Sequence, residues 1–225
     1  MADSEYAYEI VTNENDAREC ARLIAEEFSA HNPITCFDQI SPGCFYDHCS
    51  WPLMKDMLAE HLSLLARHRS TGEIVGATIA GDFFLEHQRK HLRDISNISS
   101  TIAIDDLLHE MDDLFVARDF GQELQSNTVL HIPFCAVRSQ HGGKGIVTRM
   151  IRNVCDNARQ KQGFQYLLGQ TTHQATRHVW IKNLGGKEVT IVDPTTWIWK
   201  KNGKDSSCPY KDYEGGPIPN ILVKL

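Results

Sequence analysis

Three glycines lie within four residues in one short segment, Gln140-His141-Gly142-Gly143-Lys144-Gly145. An apolar, strand-like run precedes this segment and an amphipathic run follows it. Glycine tolerates backbone torsions and close approaches that other residues do not. A strand that leads through a glycine-rich turn into a helix presents bare backbone N–H groups at the helix N-terminus, where a phosphate commonly binds. The segment therefore predicts an anion-binding loop.

Two common nucleotide-binding motifs do not fit the segment. A Walker A loop requires Ser or Thr after Gly-Lys, whereas Gly145 follows Lys144. A Rossmann loop requires G-x-G-x-x-G, which the order Gly142, Gly143, Gly145 does not supply. A tight strand–helix connection alone would explain one or two glycines, but not three of them together with the preceding Gln140.

The pattern Gln/Arg-x-x-Gly-x-Gly/Ala resembles the acetyl-CoA pyrophosphate loop of the GNAT superfamily of N-acetyltransferases. The order of elements between Tyr6 and Val192 is similar as well: strand, two helices, hairpin, strand, loop–helix, strand, helix, strand. The resemblance implies an α/β (α+β) fold with a mixed, mostly antiparallel central sheet, helices on both faces, and a bulged, splayed central strand. Pro133 lies inside the strand-like run Thr128 to Val137 and cannot donate to a ladder, so we expect the bulge there.

The resemblance also implies an acetyl-CoA-dependent enzyme whose loop amides bind the diphosphate. The pantetheine arm would bond to the strand before the loop in the manner of an added strand. Lys144 would add a cation, although a lysine there is equally compatible with solvated surface. The cofactor-binding residues implied in this way are Cys135, Ala136, Val137, Gln140, His141, Gly142, Gly143, Lys144, Gly145 and Ile146.

Acetyl transfer to an amine requires a neutral amine, stabilisation of an oxyanion and a proton for the leaving thiolate. In protein-acetylating members of the superfamily a Glu on the strand before the loop acts as base, and "HIPFCAV" resembles that segment with His131 in its place. The ordinary pKa of histidine, about 6.5, suits a base. His131 is therefore the leading prediction, with His31, Glu27 or a chain of waters as alternatives.

Two threonines, Thr172 and Thr176, have the spacing of hydroxyl residues in the insect arylalkylamine N-acetyltransferase branch, which the chain resembles. The helical insert Ile104–Phe120 and the segment after the first helix are similar too. Two departures stand out: Trp180 occupies the position where many members have a Tyr acid, and Asn32-Pro33 replaces Glu-Pro. We read Trp180 as packing on pantetheine or core. The predicted catalytic residues are His131, Thr176 and Thr172, and the predicted substrate-binding residues are Asn32 and His31.

Three functions remain open at this stage. The first is transfer of acetyl to a primary amine of a small molecule, either arylalkylamine-like or polyamine-like. The second is acetylation of a protein or peptide at lysine or the N-terminus, which requires an open groove in place of a closed tunnel. The third is a non-catalytic acetyl-CoA-binding module, which the missing Tyr and Glu favour and the intact loop disfavours.

A cluster of cysteine and histidine residues raises the question of a metal site. Cys36, Cys44, His48 and Cys49 are all zinc-ligand types within fourteen residues. Neither Cys-x-x-Cys nor His-x-x-x-His spacing is present, so we expect ordinary thiols and no metal.

Apolar spacing and turn residues predict the elements that position these groups. We expect strands at Tyr6–Thr12, at Leu62–His68 and Glu73–Phe84 as a hairpin, at Thr128–Val137, and in "FQYLLGQTT", "KEVTIVD" and "NILVKL". We expect helices ending near Ala30, from Trp51 to about His61, from Ile104 to about Phe120, from the glycine loop to Gly163, and in "HQATRHVWIKNL". A long loop is expected from Asn202 to Asn220.

Length and composition limit the number of domains, the class of partner and the compartment. The 225 residues suit one domain over 1–225, and the net charge of −6 argues against a sequence-independent nucleic-acid binder and is compatible with a cationic substrate. The sequence shows no run of membrane-spanning length and no secretory signal, so we expect a cytoplasmic protein without membrane association. Seven cysteines then predict reduced thiols. The oligomeric state is left open.

Overall fold

The computed structural model describes residues 5–95, 103–200 and 207–225. Within them, seven strands form one sheet in the order β1-β2-β3-β4-β5-β7-β6. Only the β4–β5 pair is parallel among these neighbours, so the predicted mixed, mostly antiparallel sheet is confirmed. The strands are β1 Tyr6–Ile10, β2 Leu64–His68, β3 Ile74–Asp82, β4 Val129–Val137, β5 Tyr166–Gln170, β6 Lys187–Val192 and β7 Ile218–Lys224.

Helices cover both faces of this sheet. π-helical turns follow three of them, at Tyr46–Ser50, Phe115–Asp119 and Val179–Asn183. The α-helices are α1 Glu14–His31, α2 Pro33–Phe37, α3 Pro42–Phe45, α4 Trp51–Met57, α5 Phe83–Ile95, α6 Ala103–Leu114, α7 Ile146–Gln162 and α8 Gln174–His178. In the described residues, none of the helices is both long and apolar enough to cross a membrane.

The two faces have separate apolar cores. On one face, the buried stripe of α7 that includes Met150 and Val154 packs with the β2 and β4 residues Ala66 and Leu130. On the other, the α1 stripe that includes Ile24 packs against the sheet and against α4. Both stripes have the 3.6-residue period seen in the sequence, so the two long helices are confirmed.

Strand β4 carries the feature that shapes the site. Ile79 on β3 is opposite Phe134 and Gly81 is opposite His131, so Ala80 alone faces the two residues Ile132 and Pro133. The extra residue is a β-bulge at the predicted place. The β4–β5 pairing ends at His131, and the two strands diverge beyond it.

The structure differs from the sequence-based prediction of elements in three places. The predicted strand ending at Phe84 ends at Asp82, because the Asp82 carboxylate accepts a hydrogen bond from the Phe84 N–H and starts α5. The charged run after Glu86, for which no element was predicted, is helical as far as Ile95. The predicted C-terminal loop ends early, since β7 starts at Ile218. Residues 202–206 of that loop lie outside the described residues.

Candidate active site

The glycine segment connects β4 to the N-terminus of α7. A 3-10 turn at Ser139–His141 leads into Gly143 and Gly145, whose φ angles are +73° and +76°. This left-handed backbone strains other L-residues, which explains the two glycines. Gly145 is the N-cap of α7 and provides no side-chain cap, so the first-turn amides of α7 lack a capping acceptor. The loop has the properties of an anion-binding helix N-terminus.

Lys144, the predicted cation of the loop, is held by β1. Its Nζ lies 2.8 Å from Glu5 Oε1 and 2.9 Å from the Tyr6 hydroxyl, which is itself 2.9 Å from His141 Nδ1. The hydrogen bond that Lys144 donates to the Glu5 carboxylate raises the pKa of Lys144 above its ordinary value. An anion at the loop would therefore share Lys144 with Glu5.

The end of β4 offers one free backbone edge. Cys135, Ala136 and Val137 pair with β3 on one side, and no strand of the described residues pairs with them on the β5 side. An extended ligand arm can add to this edge as a strand would. Burial raises the pKa of the Cys135 thiol to about 11, so this thiol is protonated at neutral pH.

The divergence of β4 and β5 opens a cleft of roughly 800 Å³, including its solvent-open mouth. Trp180 lines the cleft and packs so near Gly169 that a Cβ there would lie 2.5 Å from the indole. The predicted packing role of Trp180 agrees with its burial in the core. One apolar wall includes Phe28, Phe45 and Phe134, whose ring centroids lie 5.2–5.4 Å apart. The polar residues of the lining include Asn32, Thr35, Asp105, Gln170, Thr171, Thr172 and Thr176.

Asn32 and Thr172, 140 positions apart, meet in this cleft. Asn32 is the N-cap of α2: its Oδ1 accepts from the Thr35 backbone N–H at 3.2 Å and from the Thr35 hydroxyl at 3.1 Å. These two bonds fix the amide, so its Nδ2 donates to Thr172 Oγ1 at 2.6 Å. The Thr172 hydroxyl proton then remains available to a ligand or a water.

His131 belongs to a closed ring of five side chains beside the cleft. Its Nδ1 lies 2.5 Å from Glu86 Oε2, and its Nε2 lies 3.2 Å from Gln170 Oε1. Lys90 Nζ bridges Glu86 Oε1 at 3.1 Å and Asp112 Oδ2 at 2.6 Å. Gln170 Nε2 closes the ring by donating to Asp112 Oδ1 at 2.5 Å. Two carboxylates and two cations balance, as buried charges must.

The ring argues against His131 as the base predicted from the sequence. His131 is buried, with an exposed fraction of 2%. Burial alone would lower the pKa of the imidazole, but the Glu86 carboxylate outweighs it and raises the pKa above the ordinary value. Each ring nitrogen faces an oxygen, of Glu86 or Gln170, so the protonated ring donates to both and then has no lone pair for an amine proton.

The other sequence-based candidates lie in different places. Thr176 lines the cleft together with Thr172. His31, at the end of α1, is exposed, lies 3.6 Å from Glu27, and neither side chain is part of the cleft lining. Glu86, Lys90, Asp112 and Gln170 were not predicted as site residues. Their signal in the sequence is weak, because each is a common surface residue type and only the fold buries Glu86 and Asp112.

The four residues considered for zinc do not form a cluster. Cys36 and Cys44 are exposed thiols, and burial raises the pKa of Cys49 to about 12. Among the described residues, no group of three or more His, Cys, Asp or Glu side chains is placed to hold a metal ion.

Comparison with known proteins identifies the fold. No protein-family model matches the sequence, and no curated protein matches it. Solved structures do match. One is the C-terminal condensation domain of Ebony in complex with beta-alanyl-dopamine, with a TM-score of 0.76, 14% identity, and coverage of 97% of this chain and 99% of the other.

Two N-acetyltransferases match over similar lengths. The Drosophila melanogaster polyamine N-acetyltransferase that forms N-acetylagmatine has a TM-score of 0.72 and 16% identity, over 97% of this chain and 100% of the other. Arylalkylamine N-acetyltransferase 2 from Aedes aegypti has a TM-score of 0.68 and 19% identity, over 97% and 98%. The chain therefore has the GNAT fold, as the resemblance in the sequence implied.

Proposed function

We propose that this protein is an acetyl-CoA-dependent N-acetyltransferase that acts on a primary amine of a small molecule. One observation carries the proposal. The anion-binding loop, the free strand edge and the amine-sized cleft all lie along β4, in the order that a diphosphate, its pantetheine arm and a thioester require. Amides from Gln140 to Ile146 bind the diphosphate, and backbone groups of Cys135 to Val137 bond to the arm.

The reaction proceeds at the narrow part of the cleft. The amine loses a proton, and its nitrogen attacks the thioester carbon, forming the C–N bond and placing an electron pair on the carbonyl oxygen. Collapse of this oxyanion breaks the C–S bond, and the thiolate takes up the remaining proton that the nitrogen must lose. The products are an N-acetyl amide and free CoA thiol.

Thr172 and Asn32 handle the protons in this proposal. Asn32 cannot act as a base, since a carboxamide has no useful proton affinity near neutral pH. It orients Thr172 instead, and the Thr172 hydroxyl donates to a water, which takes up the amine's proton and passes one of its own to the solvent. Thr176 is the second hydroxyl on the same wall and orients the amine.

Helix α6 favours a small acceptor. Ile104, Asp105 and Leu108 of this helix line the cleft, which supports a small acceptor over a peptide lying in an open groove. The carboxylate of Asp105 and the net charge of −6 suit a cationic amine. Structural neighbours named for agmatine, polyamines and arylalkylamines support the same class.

The compartment is part of the proposal. All seven cysteines lie in the described residues as free thiols, which is the usual state in a reducing compartment. We infer a cytoplasmic enzyme that binds no nucleic acid and no membrane.

Calorimetry with acetyl-CoA and release of free thiol test the proposal. The purified protein is titrated with acetyl-CoA and then assayed with a panel of arylalkylamines, diamines and lysine-containing or N-terminal peptides. We expect acetyl-CoA binding and thiol release that depends on a small amine. Binding without turnover of any amine would favour the non-catalytic module, and turnover of peptides alone would favour the protein acetyltransferase.

A further inference from the structure

Gln170 occupies a special position in the cleft. It is the last residue of β5, just beyond the point where β5 parts from β4, and its side chain lines the cleft that the bulge at Pro133 also lines. No step of the proposed reaction uses the Gln170 side chain. Its amide is nevertheless the one member of the buried charge ring that reaches both the ring and the cleft.

The ring fixes which way the Gln170 amide points. Its Oε1 accepts from His131 Nε2 at 3.2 Å, and its Nε2 donates to Asp112 Oδ1 at 2.5 Å. A flipped amide would place an N–H against the imidazolium N–H and the carbonyl oxygen against a carboxylate. Both contacts would be repulsive, so the amide has one orientation.

Among the described residues, this orientation leaves one N–H of Gln170 without an acceptor. A carboxamide nitrogen carries two hydrogens, and Asp112 accepts only one of them. A partly buried amide N–H left without an acceptor is destabilising. An oxygen on a ligand in the cleft would recover that energy.

Strand β4, which faces Gln170, lacks a backbone N–H donor at the position opposite this residue. Pro133 sits in the bulge, where the two strands split, and has no backbone N–H. A thioester carbonyl placed at the bulge has one backbone donor fewer than it would have beside another residue. A donor from the β5 side of the cleft would replace it.

We propose that Gln170 donates its free amide N–H to the carbonyl oxygen of the acyl thioester. This rests on the proposed function and adds the group that stabilises the oxyanion. The amine cannot be the acceptor, because its lone pair is the one that attacks the carbonyl carbon. During attack the carbonyl π electrons move onto oxygen, and the N–H bond to that oxygen strengthens without transferring its proton.

His131 and Asp112 are positioning residues in this account. They act through Gln170, and Glu86 and Lys90 neutralise them in turn. His109 also faces the ring: burial and the nearby Lys90 cation lower its pKa, so it is neutral at physiological pH and leaves the charge balance unchanged.

Infrared spectroscopy of acetyl-CoA labelled with ¹³C at the carbonyl tests the contact directly. A hydrogen bond to the carbonyl lowers its stretching frequency. We expect a lower frequency for the bound thioester than for the free one, and a return toward the free value in Gln170→Met, which keeps the length of the side chain but has no donor. Gln162→Met is the matched control, since the Gln162 amide donates to the Glu60 carbonyl oxygen and is not part of the cleft lining.

Turnover provides the second readout. With acetyl-CoA binding unchanged, Gln170→Met should lower kcat by about 10²-fold, the effect of losing one oxyanion donor. Should the variant fail to fold, the side-chain amide protons of the wild type answer the question by NMR: one of the Gln170 pair should shift with acetyl-CoA and not with CoA. An unchanged carbonyl band and kcat in folded Gln170→Met, or the same NMR shift with both ligands, would overturn the inference. Failure of the wild type to bind acetyl-CoA would instead refute the proposed function.

Discussion

At the scale of single residues, Asn32 links local structure to chemistry. The sequence marked it as a departure from Glu-Pro, and the structure shows that it caps α2 while holding Thr172. One side chain thus has a structural bond on its oxygen and a cleft-facing bond on its nitrogen. A substitution of Asn32 would therefore remove both bonds at once. Thr172 is the better residue at which to test the pair.

Thr172→Val removes the hydroxyl and nearly preserves the shape. We expect kcat/KM to fall by about 10²-fold, at the lower end of what proton-handling groups contribute, with little change in acetyl-CoA affinity. Thr148→Val is the control, because Thr148 also accepts from an asparagine amide, at 3.3 Å, but on the exposed side of α7. Equal activity of both variants would contradict the role of Thr172.

Gly143→Glu tests the loop. It places a carboxylate in the proposed diphosphate site and forces a left-handed φ of +73° on a residue with a Cβ. We expect acetyl-CoA affinity measured by calorimetry to fall at least about 100-fold, a loss of roughly 2.7 kcal/mol.

The control for the loop variant is Gly163→Glu. Gly163 has the similar φ of +79°, also with open space around it, but caps the opposite end of α7. It carries the same backbone strain without touching the ligand. If the loop binds the diphosphate, only the Gly143 variant should lose affinity for acetyl-CoA.

His131 gives a pH prediction with a definite sign. Its pKa is raised, so the imidazolium persists to a higher pH than that of an ordinary histidine, whose pKa is about 6.5. We expect His131→Ala to lower the melting temperature but to keep the shape of the kcat/KM profile between about pH 5 and 8. An acid limb near pH 6.5 in the wild type that vanishes in a folded variant would restore His131 as the base.

At the scale of elements, the sequence predicted what apolar spacing and special residues report. Pro133 placed the bulge, the glycines placed the start of α7, and the stripes of α1 and α7 gave both long helices. Helix α5 was not predicted because the side chains that join it to the ring, Glu86 and Lys90, are charged. Their partners, Asp112 and His131, lie far away in the chain.

Lys90→Met tests how the ring ties α5 to α6. It leaves the Glu86 and Asp112 carboxylates with one cation between them. We expect the free energy of unfolding to fall by about 3–5 kcal/mol, the usual cost of removing one partner from a buried ion pair. Lys55→Met, on the exposed face of α4, is the control and should change stability little. A small loss for Lys90→Met in denaturant titration would show that the ring does not stabilise the fold.

At the scale of the whole molecule, the sheet joins two halves of a reaction site. Strands β1–β4 and α7 carry the loop and the free strand edge, while β5, α2 and α6 carry the polar cleft residues. The loop was readable in the sequence because six contiguous residues define it. The cleft could be predicted only in part from the sequence, since Asn32, Thr172 and Gln170 come together through tertiary structure. No local sequence pattern marks Asp105.

Transfer of the acetyl group itself is the most direct test of the central claim. The protein is incubated with acetyl-CoA carrying a ¹³C-labelled acetyl group and with the amine that gave the fastest thiol release, and the products are analysed by NMR and mass spectrometry. The account predicts the label in an amide on the amine nitrogen, in amounts equal to the thiol released, and its loss in the Gly143→Glu variant. Thiol release that leaves the label in free acetate, or no labelled amide with any amine, would contradict it.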